Sequence, residues 1–203
     1  MAKGDLSMSA TFAQTDFDEA ASPSVTLDGG MMLWAGLSFA SASLVQYLTL
    51  ANIICLPNPA MSGLIWMVAL AVFVTGGLVL KIGSKKSHLD HPAVKRFRSI
   101  WLSLILGALV VTAALIVVLV KAHLGATAAF ISAPIMTSVY GVGWRIAGVM
   151  SANKMFNILS LGGFVAAIGL AALSGTPEQS LGYAAALVCL AVVPGAVLMT
   201  RQA

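Results

Sequence analysis

The residues able to do chemistry stand in three places along the chain. The first is His88-Leu89-Asp90-His91, which sets two imidazoles and a carboxylate within four positions, a donor set suited to zinc. No fourth donor stands nearby and no His-Glu-x-x-His helix accompanies it, so no metal site is expected. The histidines read as solvated residues ahead of Pro92, which opens a short helix leading to Lys95 and Arg96. His123 belongs to an interfacial position.

The second place is "SVYGVGWRIAGVM", residues 138 to 150, where one arginine interrupts a long apolar stretch. Arg145 lies five residues before Met150, about 7 Å along a helix. Two readings stand. In one, the side chain snorkels to the membrane surface and anchors the helix, with Trp144 beside it at headgroup level. In the other, Gly141 and Gly148 open a notch around the guanidinium, which with Tyr140 and Trp144 binds a phosphate headgroup or an anionic solute.

The third place is the polar set Ser38, Ser41, Ser43, Gln46, Tyr47 and Thr49 in the first apolar segment. Spacings of three and four put these residues on neighbouring turns. They either line a small polar cavity, with Gln46 as its leading ligand candidate, or hydrogen-bond neighbouring helices.

The same inventory argues against an enzyme. No histidine or carboxylate falls within an expected helix, which removes haem ligation, a serine–histidine dyad at depth and carboxylate catalysis; no cofactor is expected. Proton-coupled transport lacks its usual buried carboxylate. Cys55 in a loop and Cys189 in the last segment form no paired motif and read as bystanders.

The elements that must position these residues follow from composition. Of 203 residues 59% are hydrophobic and 9% charged, against about 25% charged in a soluble domain. The apolar residues gather into six segments, 30–52, 62–82, 100–120, 127–149, 155–174 and 181–200, each long enough to cross a hydrocarbon core of about 30 Å. Backbone groups in lipid must be satisfied within the segment, so the fold class expected is all-α, a polytopic membrane protein with six helices in three hairpins. The first run begins only at residue 30, after a polar leader, so no cleavable signal peptide is expected.

Basic residues set the orientation. The connection 83–99 with its flanks carries Lys81, Lys85, Lys86, Lys95, Arg96 and Arg98, whereas the connection after the first segment carries no charge. The positive-inside rule then puts this loop, both termini, Arg145, Lys154 and Arg201 on the cytoplasmic side, with Lys121 alone opposite. The net charge of +4 is thus a signal of topology; anionic lipid headgroups are the expected partners of Lys85, Lys86, Lys95, Arg96 and Arg98, and no nucleic-acid partner is implied. Residues 1–29, with Asp5, Asp16, Asp18, Glu19 and Asp28, read as a disordered acidic cytoplasmic tail ahead of a transmembrane domain, 30–203.

Small residues recur every fourth position in two segments: Gly125, Ala129, Ala133, Thr137 and Gly141 in the fourth, and Gly163, Ala167, Ala171 and Gly175 in the fifth. Such ladders let backbones approach, which predicts a tight antiparallel pair; dimerisation of the chain with itself through one ladder is the alternative use. Pro134 and Pro194 each free a backbone carbonyl inside a helix for a neighbour, water or ligand to satisfy. The function expected is a non-catalytic multi-pass membrane protein, an accessory, scaffolding or lipid-interacting subunit that binds another membrane protein or lipid. The alternative is a small transporter or channel for an uncharged or anionic solute.

Overall fold

The computed structural model describes residues 29–55, 61–83, 92–123 and 125–202, and every regular element among them is helical. The helices are α1 (Gly29–Leu50), α2 (Met61–Gly83), α3 (Pro92–Lys121), α4 (Gly125–Ser151), α5 (Lys154–Ala172), α6 (Glu178–Leu187) and α7 (Val193–Gln202). A π-helical turn, Val188–Val192, joins α6 to α7 in one continuous span. The acidic segment 1–28 and the His88, Asp90, His91 cluster, with Lys85 and Lys86, lie outside the described residues.

Five of these stretches are long and apolar enough to cross a membrane: Gly29–Leu50, Gly63–Leu80, Ser99–Lys121, Lys154–Ala172 and Glu178–Thr200. α4, at 27 residues, also exceeds the length needed, and the side chains of its first five residues lie outside the described set.

Burial sorts the helices into a centre and a margin. α1 runs against α6, the π turn and α7, while α4 packs on α5 and reaches α6. α2 leans on α1, and α3 leans on α4. Only 6% of the α2 window and 11% of the α3 window are buried, against 44% of Glu178–Thr200. Leucine and valine on α2 and α3 face outward, as expected of side chains whose solvent is lipid.

Close backbone approach explains which helices take the centre. At the α4–α5 crossing a Cβ added to Gly163 would stand 2.8 Å from the Gly141 Cα, and at the α1–α7 crossing a Cβ on Gly195 would stand 2.6 Å from the Leu33 amide nitrogen. Neither site has room for a methyl group, so dispersion between backbones replaces the hydrophobic drive that lipid removes. Ala133 is half-buried and Ala167 buried, but Ala171 is exposed. Gly175 is not a rung of α5: that helix stops at Ala172, and Gly175 sits in the following turn at φ +90°.

Two boundaries differ from the sequence expectation for identifiable reasons. α3 starts at Pro92, eight residues before the apolar run, because Pro92 suits a first turn and nothing after it breaks the helix. α6 starts at Glu178, three residues before Leu181, with Pro177 as its cap. That shift brings Gln179 inside a helix and into the core.

Candidate functional site

The two prolines organise the interior. Pro134 has no N–H to offer the carbonyl of Phe130, four residues earlier, and the Gln179 Nε2 of α6 donates to that oxygen at 2.7 Å. Pro194 leaves the Leu190 carbonyl without its α-helical donor, and the Trp144 Nε1 of α4 donates to it at 2.9 Å. The π turn fits this second gap: Val193 donates to Val188, five residues back, widening the helix just before the proline. Each of two helices therefore breaks its own ladder and is mended by a side chain of the other.

Gln179 does more. Its Nε2 also lies 3.0 Å from the Leu170 carbonyl and 3.3 Å from the Ser174 Oγ. The Ser174 amide turns instead to Ala171, so Gln179 caps the end of α5 while bridging to α4. Ser43 of α1 donates to the Ser180 carbonyl at 2.7 Å, adding the fourth central element to the same knot. Sequence reasoning passed over Gln179 as a loop residue; Pro177 just before it was the available sign that a helix begins there.

The residues around Arg145 diverge rather than converge. Trp144 is 2% exposed and stacks on Phe156 with centroids 5.1 Å apart, so it is a core residue of the bundle. Tyr140 meets Trp101 of α3 edge-on at 5.8 Å. Arg145 is exposed, and its Nη1 donates to the Asn157 Oδ1 of α5 at 2.9 Å. The flanking glycines serve helix packing: Gly141 faces Ser160 and Phe164, and Gly148 faces the Asn157 side chain. The guanidinium thus stands outside the bundle, one side held by a neutral amide.

The polar face of α1 divides in the same way. Ser38, Ser41 and Thr49 donate back to carbonyls of their own helix. Gln46 accepts from the Trp66 Nε1 of α2 at 2.8 Å, and Ser43 bonds α6 as described. Two hollows adjoin this helix. The larger, about 380 Å³, has an apolar wall between α1 and α2 that includes Val45, Leu64 and Val68. The smaller, about 50 Å³, is the one that touches Gln46, and it also touches Ser43, Trp66, Gln179 and Tyr183.

Among the described residues no group of three His, Cys, Asp or Glu side chains comes together. Cys55 and Cys189 are free and exposed. Lys95, Arg96 and Arg98 lie within the first turns of α3 and Gly125 and Ala129 within those of α4, but their side chains are outside the described set. The chain matches no protein-family model, no curated protein and no solved structure.

Proposed function

We propose that this chain is a non-catalytic integral membrane protein of six crossings in three hairpins, α4 included, that serves as an accessory or scaffolding subunit. Both termini and the basic 83–99 connection face the cytoplasm of a bacterial inner membrane, where the lysines and arginines meet anionic headgroups.

The observation that carries this reading is the contrast between a filled centre and bare margins. Trp144, Leu187 and Leu190 fill the middle of the bundle, each at most 4% exposed, and a solute path along the axis would have to displace them. α2 and α3, by contrast, lean mainly on α1 and on α4 and turn most of their apolar surface outward. Such faces suit lateral contact with another membrane protein, while the cross-bonded core keeps them in fixed orientation.

The test is photo-crosslinking in native membranes, with a reactive side chain in place of Val68 on α2 and Val110 on α3, both exposed. A discrete adduct with one other membrane protein, lost when the same probe replaces buried Ala147, is the expected outcome. Lipid adducts alone would overturn the accessory reading, and saturable solute flux into proteoliposomes would put transport in its place.

A further inference from the structure

The 50 Å³ hollow has a chemical character that the packing roles of its walls do not use up. Its lining carries no ionisable carboxylate, amine or imidazole. Ser43, Gln179 and Tyr183 wall one side and are buried; Gln46, Trp66 and Ser132 wall the other and are half-buried, so entry lies on the α1, α2 and α4 side. Gln46 stands near the end of α1, Trp66 near the start of α2 and Gln179 at the start of α6, which places the hollow at the bundle end away from the 84–91 connection.

The two amides are fixed in orientation by what they already bind. Trp66 Nε1–H only donates, so the Gln46 atom facing it is the oxygen, and the Gln46 amide N–H groups have no partner among the described residues. Phe130 and Leu170 carbonyls only accept, so the Gln179 atom facing them is the nitrogen. Its Oε1 accepts from none of the described residues, although the residue is only 2% exposed. Both amide side chains, each with one end committed, line the same small space. A buried polar group left without a partner is costly, and an occupant that bonds it recovers that cost.

We infer that this hollow is a binding site for one small uncharged hydroxyl group, which donates to Gln179 Oε1 and accepts from Gln46 Nε2, with the Trp66 and Tyr183 rings against its carbon. A hydroxyl carries a donor and an acceptor on one atom; an ammonium lacks the acceptor, a carboxylate lacks the donor, and either ion would lose its hydration without a countercharge. The volume holds a few water-sized atoms, which suits the hydroxymethyl end of a polyol. That end comes either from a free polyol or from a polyol lipid headgroup, since the hollow sits near one end of the bundle.

The experiment titrates glycerol into full-length protein prepared without polyols, in phosphatidylcholine nanodiscs, following tryptophan emission with Trp66 as reporter and trimethylamine N-oxide, which carries no hydroxyl group, as the control. A saturable change with glycerol identifies the free polyol; a change seen only when phosphatidylglycerol replaces part of the lipid identifies the headgroup. Gln46→Leu is expected to weaken the response about tenfold, and Ser132→Leu, which fills the hollow from its half-buried side, to abolish it while thermal unfolding stays cooperative. No saturable response to either source, or a response that Ser132→Leu leaves unchanged, overturns the inference.

Discussion

At the scale of single residues, Trp144 and Gln179 are the side chains on which the bundle turns, because each closes a gap that a proline opens in a different helix. Trp144→Phe removes the indole N–H together with one of the two fused rings, leaving the Leu190 carbonyl buried without that partner and a small void beside it. A loss of about 1–3 kcal/mol is expected, measured by reversible unfolding in mixed micelles. The decisive measurement is the cycle with Pro194→Ala, which restores an N–H four residues after Leu190. In that background Trp144→Phe should cost less by about 1 kcal/mol; additivity of the two changes would mean that the indole bond does not serve the proline gap. Gln179→Leu is expected to cost about 1–3 kcal/mol, since it leaves the Phe130 carbonyl without its side-chain donor and the Leu170 carbonyl with only the Ser174 Oγ at 3.5 Å. The prolines and the carbonyls they free were legible in the sequence. Their partners were not, because which indole or amide reaches a given carbonyl depends on the register between helices distant in the chain, and Trp144 reads equally well as an interface aromatic or a core one.

At the scale of elements, the α4–α5 pair depends on the absence of side chains at its crossing. Gly163→Val places carbon against the Gly141 backbone, which can yield only if the helices separate, and a loss of about 1–3 kcal/mol is expected. Gly169→Ala on the same helix is the internal control: nothing stands within 4 Å of the new methyl, so helix propensity should stabilise the protein by about 0.5–1 kcal/mol. Opposite signs from two glycines six residues apart separate packing from propensity, and equal signs would refute the close crossing. The turn between the helices offers a second comparison. Ala152 sits at φ +51°, a conformation that burdens an L side chain, just ahead of Asn153, whose Oδ1 accepts the Met155 amide at 3.0 Å. Ala152→Gly should therefore gain about 1 kcal/mol. The spacing of small residues announced that α4 and α5 approach closely; the end of the ladder at Ala172 was hidden, because Gly175 keeps the period of four while serving a turn.

At the scale of the whole molecule, exposure changes meaning with the solvent, and the two native cysteines make that difference measurable. Cys55 follows α1 in a charge-free connection, and Cys189 lies in the middle of the Glu178–Thr200 span; both are exposed. In water both would react alike. In the arrangement proposed above, Cys189 faces hydrocarbon, which a charged maleimide does not enter, whereas Cys55 meets water on the face opposite the basic connection. An impermeant maleimide applied to intact cells stripped of their outer envelope should label Cys55, and a cysteine placed at Ser84 in a Cys55→Ser background should be labelled only after permeabilisation. Cys189 should stay unlabelled in both until the protein is denatured. Labelling of Ser84→Cys without permeabilisation would invert the orientation, and rapid labelling of Cys189 in the native membrane would remove the span itself. The broad plan, apolar helices separated by one basic connection, was legible because lipid tolerates so few charges that their positions stand out. The split into a packed centre and bare α2 and α3 was not: most helices of such a chain carry apolar residues on every face, so hydropathy cannot tell a face turned to lipid from a face turned to protein, and the small residues and the mended prolines mark which helices meet.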